Sequence, residues 1–508
     1  MRKKLNILDS TLLDECVRVK NLGFIRVKKI EKQYFVREAF LSKIIAYVNE
    51  IGIKNTFFKV VSRHKEKIRN KKYLSVGFGR VLDSKSAAFS ENETIIFIAY
   101  NHPAYPERLV LHQNFVKKIQ PIQSNEEKVF FGKEDGFLDI TWTPFLAWSP
   151  FSGVTAPHVD AHIWQRIEEY WIQFFKENKL NGIAIQSTPT LEIKECAAKK
   201  SIKKTGVLFG YGNYAKTIIL PNLHKDIAIT CIHEIDPAQI MPMKKNIRYD
   251  TSPFLRENER YDAFFIAGYH HTHADLAISA LKMNSDAIVE KPIVITRNQL
   301  QNLLVAMSKS TAGLYACYQR RYHIFNTYLF QDFKIKKGDP ISYFAIVYEE
   351  QLPEYHWYRW PASRSNIISN GCHWIDHFLF LNNYSEPVNF YAKKISNHET
   401  FVFITLENGA AFTLTLSHTG SSRIGMQDYI ELRSQDATAK IINSKTYFAE
   451  NSSRVLRKTA VQKFDAFKRM YCKISEDIGN TARSKLNENP KQMESTLSLI
   501  LDLDEQIL

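Results

Sequence analysis

The chain has 508 residues, 44% of them hydrophobic and 24% charged, with a net charge of +15. That length exceeds what one hydrophobic core organises, so two to four domains are expected. No run approaches the ~18–20 apolar residues of a membrane helix, and Asp9 and Asp14 interrupt the apolar core that a leader peptide needs.

The six cysteines, at 16, 196, 231, 317, 372 and 472, form no CxxC and no metal-like spacing. They read as reduced thiols in a cytoplasmic protein. The positive charge is spread along the chain, with lysine clusters at 64–72 and 197–204. Solvated faces and linkers account for such runs. Their functional reading is attraction to an anionic, nucleotide-linked or phosphorylated substrate. Nothing resembles a nucleic-acid module.

Residues 1–124 read as mixed and mostly β. AFLSKIIAYVNEIG (39–52) is helix-like, and strands are expected in KYLSVGFGRVLD (72–83), ETIIFIAY (93–100) and PERLVLHQNFVKKI (106–119). Residues 125–203 read as a connecting region. It holds the aromatic stretch LDITWTPFLAWSPF (138–151), which offers ring faces to a sugar or to a core, and a helix beginning AHIWQRIEEYW at 161.

From Lys204 strand and helix alternate as a parallel sheet requires. Strands are expected at 204–210, 226–234, 261–268, 286–292 and 311–319, with helices at 273–283 and 296–310. Residues 204–320 therefore read as a dinucleotide-binding domain. Beyond 321 the strands lengthen and alternate, with a hairpin turn at ENGA (407–410), the helical stretch NGCHWIDHFLFLNN (370–383) and a helical end from about 460 to 505. Residues 321–508 thus read as an α+β domain with an open, mostly antiparallel sheet. An apolar sheet face must be covered, which points to a homodimer or homotetramer.

The turn GYGNYA sets Gly210, Gly212 and Ala215 in a GxGxxA spacing between a strand and a helix. The first glycine permits the turn, the second admits a pyrophosphate, and the small third residue lets helix and strand pack. With Tyr211, Asn213 and Tyr214 it forms the expected phosphate cradle, whose N–H groups face the phosphates. Glu234 ends the next strand, where a carboxylate binds both ribose hydroxyls and favours NAD over NADP. Lys225, Lys244 and Lys245 lie close enough in sequence to keep the 2′-phosphate of NADP open.

A second set of residues comprises AGYHHTHADLAISAL, DAIVEKPI and GCHWID. Together with GxGxxA it resembles the glucose–fructose oxidoreductase, inositol dehydrogenase and MocA family over about 204–450. The resemblance implies an NAD(P)-dependent oxidoreductase. It places Lys291 of EKP between nicotinamide and substrate, with a cis Lys291–Pro292 bond, beside Glu290, His270 and His273. It also makes His373 of HxxD the acid/base candidate, with Asp376 one turn along. Ser369 departs from the pattern: many members carry an aspartate there, completing a Lys–Asp–His relay. A desolvated Lys291 is expected to have a lowered pKa. His270, His271 and His273 lack a carboxylate or cysteine to complete a ligand set, so no metal is expected.

CYQRRYH (317–323) and EEQLPEYHWYRWP (349–361) resemble a fused subgroup found with surface-polysaccharide gene clusters, in which a GroES-like, zinc-alcohol-dehydrogenase-like half comes first. Arg320, Arg321, His356 and Trp357 are the substrate-wall candidates. The first 203 residues offer neither zinc ligands nor a glycine turn. They read as a degenerate GroES-like region that covers the cleft, selects substrate or builds an interface. The expected activity is hydride transfer to or from a sugar or nucleotide-sugar. An imine or double-bond reductase and a non-catalytic cofactor-binding scaffold are the alternatives.

Overall fold

The computed structural model describes residues 16–30, 72–84, 86–100, 108–121, 130–133, 159, 161–176, 204–234, 247–250, 254–255, 259–349, 358, 363–420, 425–479 and 487–508, with isolated positions between 45 and 57. The stretches at 39–52 (apart from two positions) and 138–151, the lysine cluster before Lys204, Lys244, Lys245, His356 and Trp357 lie outside the described residues.

The N-terminal strands are β1 (Cys16–Ile30), β2 (Lys72–Ser84), β3 (Thr94–Tyr100), β4 (Arg108–His112), β5 (Val116–Lys118) and β6 (Phe130–Lys133). They form one sheet in the order β4-β1-β2-β3-β5, with β6 pairing parallel to β1. Register shifts bend the 15-residue β1, which serves three partners. The run IIFIA (95–99) in β3 is apolar at every position because both faces of the sheet are buried. Ile95, Phe97 and Ala99 join one cluster, and Ile96 and Ile98 the other.

Helix α1 (Ala161–Lys176) sets Ile163, Trp164, Ile167 and Trp171 on that second cluster. The core therefore crosses the expected boundary at 124. β6 and α1, assigned from sequence to a connecting region, complete the sheet domain, because the α1 aromatic face has the Leu22, Ile25, Val76 and Phe78 face to cover.

The nucleotide-binding strands are β7 (Lys204–Phe209), β8 (Ile227–His233), β9 (Arg248–Asp250), β10 (Ala263–Ile266), β11 (Asp286–Glu290) and β12 (Leu314–Cys317). All pair in parallel in the order β12-β11-β10-β7-β8-β9. A short helical run, α2 (Ala215–Ile219 continued by Leu220–Asn222), follows β7. Helices α3 (His273–Lys282) and α4 (Arg297–Lys309) cover one face.

α2 is too short to cover the other face. The gap is filled by α7 (Asp465–Gly479), whose Met470, Tyr471, Ile474 and Ile478 pack on Leu208, Ile232, Phe265 and Tyr315. Residues 465–479 thus serve the nucleotide-binding domain, not the C-terminal domain that sequence position suggested; a parallel sheet must be covered on both faces.

The remaining elements are α5 (Ile324–Phe333), β13 (Ser342–Tyr348), α6 (Cys372–Leu381, preceded by a π-helical turn at Ile367–Gly371), β14 (Pro387–Ser396), β15 (Glu399–Leu406), β16 (Ala411–Ser417), β17 (Gln427–Ser434), β18 (Ala437–Ile442), β19 (Thr446–Asn451), β20 (Val455–Ala460) and α8 (Pro490–Glu505). The eight strands run β14-β15-β16-β13-β17-β18-β19-β20, antiparallel except for β13 beside β16. One face buries Tyr343, Val347, Ile404, Leu414 and Leu432 in the same core as Trp374 of α6 and Leu497 of α8. The opposite face exposes a cross-strand row, Ile346, Tyr429 and Ile442.

Gly23 of β1 has no room for a side chain. A Cβ there would stand 2.5 Å from Cη2 of Trp171, which is wholly buried. Gly23→Ala is therefore expected to lower the stability of the N-terminal sheet by about 1–3 kcal/mol through overpacking. Thermal unfolding followed by tryptophan fluorescence checks this, and an unchanged transition would show that α1 does not seat on β1.

Candidate active site

The site is built at the C-terminal ends of neighbouring parallel strands. Gly210 follows β7, Glu234 follows β8, Gly268 lies just beyond β10 and Lys291 follows β11. β7 stands between β8 and β10, so the strand order reverses at β7, where open parallel sheets leave a ligand crevice.

Gly210 has φ +91°, and a Cβ would collide with the carbonyl oxygen of Ala267. Its N–H donates to His233 O at 2.9 Å. A Cβ on Gly212 would meet nothing within 4 Å. Open space at the second glycine beside a helical start is what a pyrophosphate needs, so the turn fits a dinucleotide.

The Tyr211 N–H donates to Oε2 of the buried Glu234 at 2.6 Å. This fixes a carboxylate beside the turn. The Tyr211 ring is held between Tyr249, 5.8 Å away, and Lys216 Nζ, 4.5 Å from its centroid. The Asn213 carbonyl accepts from Thr217 Oγ1 at 2.8 Å, and Ala215 is buried against the sheet. Lys225 is exposed.

Tyr214 reaches from the glycine turn to the EKP segment. Its hydroxyl donates to Glu290 Oε1 at 2.8 Å, and Tyr471 of α7 donates to the same oxygen. Burial pushes the Glu290 carboxyl up, and the two tyrosine bonds and Lys291 only partly offset it.

The Lys291–Pro292 peptide is cis, as the resemblance implied. Lys291 Nζ donates to the Ser369 carbonyl oxygen at 2.7 Å and lies 3.4 Å from the Tyr358 hydroxyl. Burial works against the Lys291 charge, but Tyr358, Cys372 and Glu290 outweigh it, and its pKa stands above the ordinary lysine value. The expected lowering is thus reversed. Desolvation is present, yet acceptors surround the ammonium.

His273 sits with Nδ1 2.8 Å from Pro292 O and Nε2 3.2 Å from Gly268 O. It brackets the strand ends of β10 and β11, and both ring nitrogens face backbone carbonyls. The buried His270 packs its ring 4.9 Å from that of Tyr358. Burial and then Lys291 drive the His270 pKa well below the usual histidine range.

His373 occupies the first turn of α6, buried beside Tyr318 and Trp374. Burial, Lys291 and Arg320, in that order, hold its pKa far down, so it is a neutral imidazole. Its Nδ1 has no hydrogen-bond partner among the described residues. A buried polar atom of this kind calls for a partner.

Arg320, Arg321 and Asp376 take different roles from those read in the sequence. Arg321 donates through Nε to Asp376 Oδ2 at 2.9 Å and through Nη1 to Glu488 Oε1 at 2.8 Å. The buried Arg320 pairs with Asp428 and lies 4.3 Å from the Trp374 ring. These guanidinium groups pair with buried carboxylates. Asp376, wholly buried, has a carboxyl that burial pushes up to about 6 against the pull of Arg321. It shares no bond with His373. The carboxylates that pair with these tandem arginines lie 55 to 167 residues away, so nothing local in the sequence signals them.

Sequence reasoning missed Tyr358, one position beyond the selected His356 and Trp357 in a stretch with no periodicity to rank its aromatics. Beyond Glu234, Cys231, His233 and Glu259 bring one ligand atom each within 4.8 Å of one another. Arg248 donates to Cys231 Sγ at 3.1 Å and pairs with Glu259, so a cation already serves this cluster.

The open space at Gly212 yields a direct expectation. Gly212→Trp fills the pyrophosphate position without displacing any neighbour that a Cβ would touch. It should leave the melting temperature within about 2 °C of wild type and weaken NADH binding at least tenfold, measured by nicotinamide fluorescence. Equal affinity in the two proteins would remove the turn from the site.

Residues 204–316 match the family model described as "Oxidoreductase family, NAD-binding Rossmann fold", GFO_IDH_MocA. No curated protein sequence matches the chain. Among solved structures, KijD10, a 3-ketoreductase from Actinomadura kijaniata in complex with NADP and TDP-benzene, is similar at 15% identity and TM-score 0.50, over 60% of this chain and 97% of that one. UDP-N-acetylglucosamine 3-dehydrogenase GnnA from Acidithiobacillus ferrooxidans is similar at 18% identity and TM-score 0.49, over 60% and 97%. The glycine turn, the EKP segment on its parallel sheet and the matched model agree. Residues 204–316 therefore form the NAD-binding Rossmann domain of the Gfo/Idh/MocA oxidoreductase family.

Proposed function

We propose that the protein transfers a hydride to or from a ring carbon of a nucleotide-linked sugar, in the cytoplasm and within surface-polysaccharide biosynthesis. The observation that carries this reading is the grouping of Lys291, with an N–H available beside those given to Ser369 O and Tyr358, and His373, with an unpartnered Nδ1, next to a glycine turn with room for pyrophosphate. The nicotinamide, when bound, gives or takes the hydride. Gly210, Gly212 and Ala215 hold the phosphates, and Glu234 receives the ribose and favours NAD. Lys291, kept as an ammonium, hydrogen-bonds the reacting oxygen and hands it a proton. The neutral His373 accepts or donates at a neighbouring hydroxyl. The nucleotide-linked ligand of KijD10 and the net charge of +15 both suit an anionic sugar nucleotide.

A second reading, reduction of a C=N bond, is favoured by Ser369, which offers Lys291 a carbonyl in place of a carboxylate. The open face carrying Ile346, Tyr429 and Ile442 would be covered by a second copy of the chain, giving a homodimer or homotetramer.

The test is turnover at 340 nm with UDP- and TDP-linked hexoses, their 3-keto forms and cyclic imines, each with both cofactors. Sugar nucleotides should turn over, and Lys291→Ala should reduce kcat by about 10²–10⁴-fold, the usual contribution of a positioned acid or base. Turnover of imines alone would establish the second reading. An active Lys291→Ala enzyme would overturn both.

A further inference from the structure

Lys291 has two hydrogen-bonding neighbours among the described residues, and they differ in kind. The Ser369 carbonyl, 2.7 Å away, accepts and cannot exchange a proton. The Tyr358 hydroxyl, 3.4 Å away, can do both. The buried His270 ring packs 4.9 Å from the Tyr358 ring, and Nζ lies off the hydroxyl end of Tyr358, 5.5 Å from the ring centroid. His270 packing thus helps to hold the hydroxyl at Nζ. The Ser369 side chain is a hydroxymethyl with no acid to return a proton to the lysine, so that proton must come from elsewhere. Of the two hydrogen-bonding neighbours of Nζ among the described residues, only Tyr358 carries an exchangeable O–H.

We infer that Tyr358 is the positioning and proton-supplying partner of Lys291, substituting for the acid that Ser369 lacks. The inference rests on the oxidoreductase reading of the site. In the reductive direction a substrate carbonyl carbon gains hydride from the reduced dinucleotide, and the C=O π pair moves to oxygen. That oxygen takes a proton from Lys291 Nζ, and the N–H bond electrons remain on nitrogen. The Tyr358 O–H then gives its proton to Nζ, restoring the ammonium, and the phenolate recovers a proton from water. In oxidation the same transfers run backward, and a proton leaves through Tyr358. A phenol beside an ammonium is suited to this exchange, because the charge that appears on oxygen lies next to the cation that has just reformed.

Tyr358→Phe keeps the ring and its packing on His270 and removes only the oxygen. With a sugar nucleotide that wild type turns over, kcat should fall at least tenfold, KM should stay within threefold, and NADH affinity and melting temperature should be unchanged. A side chain with only a structural role would move the latter two. A readout that needs no substrate runs in parallel: acetic anhydride labelling at pH 8, quantified by peptide mass spectrometry, with the exposed Lys393 as internal reference. Loss of the Tyr358 oxygen should raise the neutral fraction of Lys291 and speed its labelling at least threefold relative to Lys393. Unchanged kcat, or unchanged labelling, would overturn the inference. If wild type turns over no sugar nucleotide or imine, the oxidoreductase reading fails instead, and the labelling ratio still decides whether Tyr358 sets the proton affinity of Lys291.

Discussion

One buried carboxylate holds the site together. Glu290 Oε1 receives hydroxyls from Tyr214, on the glycine turn, and from Tyr471, on a helix 181 residues further along the chain. That oxygen joins the phosphate cradle, the strand that delivers Lys291 and the helix that seals the sheet's second face. Leaving a buried acceptor of this kind without a donor costs about 1–3 kcal/mol. Its charge also supports the Lys291 ammonium next to it. The second glutamate of the site, Glu234, does the equivalent for the turn itself through the Tyr211 N–H.

A second tie works on the substrate side. Arg321 joins Asp376 of α6 to Glu488, and Glu488 also reaches back to β12, accepting from Ala316 N at 3.3 Å. Removing one member of such a buried group costs about 3–5 kcal/mol. The helix that carries His373 is therefore fixed to the sheet that carries Lys291. The two proposed catalytic side chains come from different parts of the chain, and the last two helices serve one part each, with α7 on the nucleotide-binding sheet and α8 on the C-terminal core. This chain-end return explains how side chains 82 positions apart, Lys291 and His373, stand in one electrostatic environment.

What the sequence disclosed follows its local physics. Apolar runs ending in Gly210, Glu234 and Lys291 announced β7, β8 and β11 within a residue or two, because a parallel strand buried on both faces must be apolar throughout. The ENGA hairpin was equally legible, with Gly409 at φ +86°. β19 and β20 were not. Arg454, Arg457 and Lys458 place charge at the outer edge of the sheet, as edge strands do to resist further pairing, and so erase the alternation that would reveal them. Long-range pairing was also hidden: nothing local in QRRY signals Asp428, Asp376 or Glu488. Tyr358 was passed over in favour of its neighbours for the same reason, since its partners His270 and Lys291 lie 88 and 67 residues earlier.

The proposed chemistry requires the dinucleotide to lie across the strand ends with its reactive ring at Lys291. A crystal structure of the protein grown with NADH tests this directly. The expected result is the pyrophosphate over Gly212, the adenine-side ribose on Glu234, and nicotinamide C4 turned toward Lys291 and His373. A dinucleotide bound elsewhere, or one seated on the turn with its nicotinamide facing away from Lys291, would contradict it.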